Sequence, residues 1–220
     1  MPSMYETIMD LPLFKGIGDE QLSIMLEKTK VEFLKFEDGE IIYETGENVS
    51  GLYFILNGRV KQTYNLTHNS LAIDEILGKG SVLGALHLFG MNTKYPSNAV
   101  ALGKVSLMRI GKSQYLNILR TDQIYLINFV NYLSAAAQKA QSLLSQYKGA
   151  SITRTLETLA FSVVSRGAET VMVAGDDKSM AEYCGVSQED FSLWKSVELA
   201  HNRIIANQRG IFLRSPHLLR

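Results

Sequence analysis

Hydrophobic and polar positions give the first part of the chain a β-rich pattern. Residues 31–110 contain short runs of β-branched and aromatic residues, with glycines such as Gly39, Gly58 and Gly103 between or beside them. Many short strands with turn glycines are typical of an all-β sandwich or barrel. No helix of ten or more residues fits between the runs, so a parallel βαβ arrangement is not expected. We predict an antiparallel β-roll (double-stranded jelly roll), preceded by a short amphipathic helix at residues 18–30.

A helical period replaces this pattern after Gly111 and continues to about Gly149. Neither glycine nor proline occurs from Lys112 to Lys148. Apolar or small residues recur there at alternating steps of four and three positions, namely Leu126, Val130, Leu133, Ala137, Ala140, Leu144 and Tyr147. Such a seam predicts a long dimerisation helix that pairs with a second copy of itself. The alternative is a helix that packs on its own domain.

The C-terminal segment has the pattern of two helices followed by a hairpin. Residues 178–184 and 188–200 are helical in pattern, Gly185 is placed to end the first helix, and Ser187 is placed to cap the second. Two helices joined by a short glycine turn are typical of a helix-turn-helix. Two short apolar runs around a polar tip within residues 204–213 predict a hairpin, or wing. The sequence therefore predicts a winged helix-turn-helix.

These patterns divide an α+β protein into three segments. They are a sensor domain at 1–111, a dimerisation helix at 112–148 and a DNA-binding domain at 149–220. Lys+Arg and Asp+Glu both number 22, so overall charge does not indicate nucleic acid, membrane or an acidic substrate as a partner. Local charge is more informative, because the chain from His201 onward carries Arg203, Arg209, Arg214 and Arg220 and no acidic residue. The wing side is therefore the expected cationic face.

The N-terminus and the single cysteine indicate a cytoplasmic protein. The first residues lack a basic stretch followed by an apolar one, so no signal peptide is expected. No apolar run reaches the length of a membrane-spanning helix, and we expect no membrane partner. Cys184 alone cannot form an internal disulfide, and this agrees with a reducing compartment.

The order of these parts and three local strings resemble the CRP/FNR family of bacterial regulators over nearly the whole chain. The strings are GEIIYETGENVSGLYFILNGRVK at 39–61, GSVLGALHLF at 80–89 and AEYCGVS at 181–187. The resemblance implies a homodimeric transcription regulator, in which an effector in the β-roll shifts the long helices and re-aims two recognition helices. The implied partners are double-stranded DNA with a two-fold-symmetric operator, a second copy of the chain, a small-molecule effector and RNA polymerase.

The effector region departs from the cyclic-nucleotide branch of that family. That branch uses a glutamate for the ribose and an Arg-Ser pair for the cyclic phosphate, and the matching positions here are Ala85, Tyr95 and Pro96. An alanine cannot hydrogen-bond a ribose, and a phosphate without arginine loses a bidentate contact. We therefore predict an effector other than cAMP, or no effector. The candidate pocket residues are Gly84, Ala85, Leu86, Tyr95, Pro96, Ala137 and Gln141.

No cofactor is predicted from the sequence. The iron–sulfur cluster of the oxygen-sensing branch needs four cysteines, and this chain has one. Haem is a less favoured alternative that rests on His87 in the β-roll and His68 in a loop. A lone histidine is far more often a surface or core residue than a ligand.

The predicted recognition helix also departs from the family, because it is poor in arginine. Glu189 could accept from a cytosine amino group and Gln188 could pair with adenine, whereas Leu193 replaces an arginine and offers only apolar contact. Phe191 and Trp194 are expected in the domain core. The candidate DNA-binding residues are Ser187, Gln188, Glu189, Ser192, Lys195, Ser196 and Arg209.

Two other functions remain open. One is a protein-interaction module built on a cyclic-nucleotide-binding-like domain with a degenerate helix-turn-helix. The other is a metalloenzyme on a jelly roll, which needs clustered ligands such as two histidines two positions apart. His68, His87, His201 and His217 have no such spacing, so neither an enzyme nor a metal site is predicted.

Overall fold

A computed structural model of the chain describes residues 4–66, 70–146, 151–163, 165 and 167–213. The helices are α1 (Met4–Met9), α2 (Asp19–Lys28), α3 (Lys112–Thr121), α4 (Gln123–Gln146), α5 (Ile152–Val163), α6 (Asp177–Cys184) and α7 (Gln188–Ala200). The strands are β1 (Val31–Phe36), β2 (Ile41–Tyr43), β3 (Gly51–Asn65), β4 (Ala72–Leu77), β5 (Val82–Leu83), β6 (Asn98–Gly111), β7 (Ala168–Ala174), β8 (Ile204–Asn207) and β9 (Gly210–Leu213). Among the residues described, no helix is long and apolar enough to cross a lipid bilayer.

The first of two compact units comprises Met1–Val60 and Gly78–Ala137. Its strands pair antiparallel, with β1 running along β6 from Val31 opposite Ile110 to Phe36 opposite Val105. Strand β2 also pairs with β6, and β5 pairs with β3. The expected antiparallel β-structure and the helix before it are confirmed.

Strands β3 and β6 are longer than the sequence pattern predicts, because each continues through a glycine expected at a strand boundary. Gly58 lies within β3 at a φ of 87°, and a Cβ on it would lie 2.4 Å from the carbonyl oxygen of Lys104. Only glycine permits both this backbone conformation and this close approach of two strands. The glycine therefore brings β3 against β6 and does not end the strand.

The helical segment after Gly111 is not one helix but two. Asp122 is extended, with φ −147° and ψ 134°, and it separates α3 from α4. Its carboxylate accepts the backbone N–H of Ile124 at 2.9 Å and the side-chain amide of Gln21 at 2.9 Å. An aspartate that satisfies the free N–H groups of a new helix favours such a break over a continuous helix. The expectation of one helix over 112–148 is corrected at this residue.

Helix α4 contributes aromatic side chains to the core of the first unit. Tyr125 packs edge-on against Phe14, with ring centroids 5.9 Å apart. Phe129 packs in the same manner against Tyr115 at 5.4 Å and Phe89 at 5.9 Å. This face of α4 is therefore anchored to the chain's own domain.

The second unit comprises Lys61–Leu77 and Gln138–Arg220. Its strands lie in the order β4-β7-β9-β8, with every neighbouring pair antiparallel. The sequence pattern assigned residues 61–77 to the sensor segment, whereas these residues pack with the C-terminal segment. Residues 61–77 pack with the C-terminal segment because β4 pairs with β7, a strand far from it in the sequence.

Candidate nucleic-acid interface and effector region

Helices α6 and α7 are joined by a tight turn with well-formed caps. The side chain of Asp176 accepts the N–H of Ser179 at 2.7 Å and begins α6. Gly185 ends α6 in the left-handed conformation at φ 68°, and its N–H donates to the carbonyl of Glu182 at 3.1 Å. The predicted roles of Gly185 and Ser187 at this turn are confirmed.

Ser187 fixes the first turn of α7. Its Oγ accepts the N–H of Asp190 at 3.0 Å and donates to the Asp190 carboxylate at 2.6 Å. Gln188, Glu189 and Ser192 are exposed beside it, and with Ser187 they line one open, shallow depression. Four of the candidate DNA-binding residues therefore share a single surface.

Helix α7 has an exposed face with serine hydroxyls and an inner face with aromatic side chains. Ser196 is exposed, and its Oγ donates to the carbonyl of Ser192 at 2.9 Å. Phe191 is fully buried and packs on Trp194, whose Nε1 donates to Thr153 Oγ1 at 2.8 Å. The expectation that Phe191 belongs to the domain core is confirmed, and Trp194 packs against it while staying half-buried.

Lys195 contacts an acid on the neighbouring helix. Its Nζ lies 2.6 Å and 2.9 Å from the two carboxylate oxygens of Asp177, and the lysine side chain is only 22% exposed. This ion pair clamps α6 to α7. Lys195, which the sequence predicts to face DNA, is thus paired with the carboxylate of Asp177.

The C-terminal hairpin of β8 and β9 presents Arg209 at its tip. The Asn207 side chain accepts the N–H groups of Arg209 and Gly210 at 2.8 Å and 3.2 Å and shapes the turn. The Arg209 side chain is 69% exposed, and its Nη2 lies 3.9 Å from a carboxylate oxygen of Asp74. Arg203, just before the hairpin, pairs with Glu198 at 2.9 Å.

The effector region predicted in the first unit is partly filled by its own aromatic side chains. Tyr95 is buried, and its ring stacks on Tyr43 with centroids 3.7 Å apart. Burial is the main cause that raises the pKa of the Tyr95 hydroxyl, which stays a neutral phenol. Ala85 is also buried, whereas Leu86 and Pro96 are exposed.

The other predicted pocket residues are placed as follows. Gly84 adopts φ 84°, and a Cβ on it would lie 3.2 Å from the carbonyl oxygen of Gly51, so a side chain here would be strained and tightly packed. Ala137 and Gln141 are exposed on α4.

The predicted dimer seam lies on the solvent-facing side of α4. Leu126 is 44% exposed and Val130 is 49% exposed, while Leu133 is half-buried. Ala137 and Ala140 continue the exposed stripe. Leu144 belongs to α4, but its side chain and the whole of Tyr147 lie outside the described residues.

Two of the four histidines lie in the described part of the chain. Burial lowers the pKa of His87, and His201 Nδ1 lies 2.8 Å from the carbonyl of Val197. His68 and His217 lie outside the described residues. In the part of the chain that the structure describes, no three histidine, cysteine, aspartate or glutamate side chains are grouped to hold a metal. Burial raises the pKa of Cys184 to about 11, as expected for a packed thiol.

Sequence reasoning missed two acids on β4, Asp74 and Glu75. Both are buried, and both contact the C-terminal segment. The signal was present, because adjacent residues of a strand point to opposite faces and two consecutive acids therefore need partners on both faces. Thr63 and Tyr64 are partners 11 positions earlier in the chain, whereas the partners in the C-terminal segment, Ser165 and Arg209, lie 90 or more positions further along.

Comparison with known proteins finds a family match for part of the chain. Residues 33–122 match the model of the cyclic nucleotide-binding domain family. The potassium channel GORK of Arabidopsis thaliana is 29% identical over 112 residues, which are 51% of this chain and 13% of the channel. Lysophospholipase nte1 of Neosartorya fischeri is 27% identical over 85 residues, which are 39% of this chain and 6% of that protein. The chain thus spans a small part of the length of these relatives.

A solved structure matches over nearly the full length. The catabolite activator protein of Thermus thermophilus is 18% identical and has a TM-score of 0.55, with coverage of 94% of this chain and 96% of that one. Residues 33–122 therefore match the cyclic nucleotide-binding domain family, and the chain has the fold of this catabolite activator protein.

Proposed function

We propose that this chain is a homodimeric, DNA-binding transcription regulator of the cytoplasm whose effector is not cAMP. In this proposal the 1–111 segment is the sensor, the 112–148 segment forms the dimer contact, and the 149–220 segment is a winged helix-turn-helix. It binds a two-fold-symmetric operator and works beside RNA polymerase.

The surface at the first turn of α7 carries the proposal. Ser187, Gln188, Glu189 and Ser192 are exposed together at the N-terminal end of a rigidly capped helix. A recognition helix contacts base edges with its N-terminal residues, and amide and carboxylate side chains can read adenine and cytosine. The hairpin tip then supplies Arg209 for phosphate.

The exposed stripe of α4 supports the dimer. Leu126 and Val130 are large apolar side chains in water on a helix whose opposite face is anchored. A second copy of α4 would remove this stripe from water, and the alanines further along allow close approach of the two helices. Two recognition helices would then lie about one DNA turn apart.

A second candidate function is a protein-interaction module. Lys195, Arg203 and Arg209 all have acidic partners, which lowers the charge offered to phosphate. On α7, Leu193 is 67% exposed and Val197 is 42% exposed, one helical turn apart. An apolar strip of this kind suits a protein surface as well as a thymine methyl group.

A cyclic nucleotide should leave the thermal stability of the protein unchanged. A ligand that binds only the folded state must raise Tm. The Ala85 side chain cannot hydrogen-bond a ribose, and Tyr95 brings no positive charge to a cyclic phosphate. We expect the same Tm in thermal unfolding with millimolar cAMP, with AMP and with buffer alone. A rise of several degrees specific to cAMP contradicts this assignment.

Replacing Val130 with glutamate should separate the dimer. A carboxylate placed in an apolar contact loses hydration that no partner replaces, and this destabilises the dimer. Sedimentation equilibrium should show a wild-type dimer and a Val130→Glu monomer. Leu116→Glu is the matched control, because Leu116 is similarly exposed but lies on α3 outside the seam. A wild-type monomer, or a Val130→Glu dimer, contradicts the proposed contact.

Selection of fragments from a random DNA pool by the purified protein tests the function itself. We expect an enriched two-fold-symmetric sequence whose binding weakens steeply with salt. Gln188→Ala and Glu189→Ala should each relax one base position of the half-site and cost roughly 1–3 kcal/mol of discrimination. Arg209→Ala should weaken all sequences alike and lower the salt slope by about one.

Glu169→Ala serves as the control, since Glu169 is exposed on β7, outside α7 and the hairpin tip. Absence of enrichment at low salt, for a protein that is dimeric, contradicts the regulator and favours the protein-interaction module.

A further inference from the structure

The second unit holds a main-chain contact between a hairpin and the C-terminal segment. The 61–77 hairpin consists of the end of β3 and the whole of β4, closed by the N–H of Leu66 donating to the carbonyl of Leu71 at 3.1 Å. Strand β4 pairs antiparallel with β7 from Ala72 opposite Ala174 to Leu77 opposite Ala168. Because β7 pairs in turn with β9, the hairpin is one strand away from the C-terminal hairpin that carries Arg209.

Glu75 fastens this contact on one face of β4. It is fully buried and accepts three hydrogen bonds, from Tyr64 Oη at 2.9 Å and from the N–H and Oγ of Ser165 at 2.7 Å each. Burial raises the pKa of Glu75, although these bonds and the charge of Lys139 act in the opposite direction. One side chain thus ties the hairpin to the residue that precedes β7.

Asp74 fastens the contact on the opposite face. Its side chain is almost buried, accepts from Thr63 Oγ1 at 2.7 Å, and faces Arg209 Nη2 at 3.9 Å. Arg209 is the cation that the proposed function assigns to DNA phosphate. In this arrangement its charge is shared with a carboxylate that repels phosphate.

The β4–β7 contact joins a strand inside the matched family domain to a strand outside it. The cyclic nucleotide-binding domain match at 33–122 includes β4 and ends before β7. The fastening residues are polar, as is typical of contacts between domains of one chain that move relative to each other. Strand β4 lies between β3 and β7 in the sheet, so release of β7 would leave β4 as an edge strand still paired with β3.

We propose that the 61–77 hairpin is an autoinhibitory dock for the C-terminal segment. The hairpin holds β7 by strand pairing, and Glu75 and Asp74 hold the C-terminal segment from the two faces of β4. DNA binding requires release of the C-terminal segment from the hairpin. This inference rests on the proposed function. The docked form binds DNA weakly, so the apparent affinity for DNA is the affinity of the released form multiplied by the fraction of molecules that is released.

A reversible disulfide across the dock tests the proposal. Ala72 and Ala174 are register partners and neither is fully buried, so Ala72→Cys with Ala174→Cys places two thiols at a separation that a disulfide spans. Cys184→Ala removes the natural thiol. The control is Lys35→Cys with Ser106→Cys in the same background, a register pair of β1 and β6 that links strands of the first unit only.

The probe is the DNA fragment enriched by the wild-type protein, or mixed-sequence duplex DNA if none is enriched. After mild oxidation we expect a nearly complete disulfide in both proteins. Oxidised Ala72→Cys/Ala174→Cys should bind DNA at least about tenfold more weakly than its reduced form, while the control binds equally in both states. Asp74→Asn should bind more tightly than wild type, and Glu169→Gln should not.

Three results overturn the proposal, and they are distinguishable. If the disulfide between positions 72 and 174 does not form, the docked arrangement is wrong. If it forms and DNA affinity is unchanged, docking does not inhibit. If it forms and neither redox state, nor the control, nor wild type binds DNA at low salt, the proposed function fails and the inhibition fails with it.

Discussion

The antiparallel pairing of β4 with β7, with a buried glutamate beside it, is the contact on which the second unit depends. Two of the three hydrogen-bond donors to the buried Glu75 carboxylate come from Ser165, just before β7, so separating this segment from β4 removes both. A buried acid that loses its partners is costly, commonly by several kcal/mol. The pairing and the acid therefore stabilise each other, and either both contacts form or neither does.

This constraint links the two proposed activities of the chain. The hairpin that provides β4 lies within the cyclic nucleotide-binding domain match, and the strand that it holds leads directly to α6 and α7. In the proposed dock, a change in the position of the hairpin acts on the segment that presents the first turn of α7. Coupling of this kind needs two discrete arrangements of one element, and a paired or unpaired strand edge provides them.

Local features of the sequence predicted the helix pair well. Gly185 and Ser187 act through neighbours within six positions, so their caps depend on nothing distant. The break at Asp122 was missed because the apolar period continues across it, and only the capping bonds of that side chain reveal the new helix.

The docking contact was beyond the reach of the sequence pattern for a different reason. The run LAIDEIL predicts a strand but not its partner, since strand pairing is set by edges that meet only in the folded chain. Ser165 is an ordinary residue at the end of a helix by its local sequence. The stacked pair of Tyr43 and Tyr95 was hidden similarly, because it joins the end of β2 to a loop about 50 positions further along the chain.

Hydrogen–deuterium exchange of the full chain tests whether β4 and β7 open together and are held closed by Glu75. We predict that Glu75→Gln accelerates exchange of the β4 and β7 amides together, by a similar factor, while amides of β1 and β6 keep their wild-type protection. Glu169→Gln, the same change at an exposed site on β7, should leave all four strands unaltered. Unchanged exchange in β7, or acceleration in β4 alone, would contradict the account.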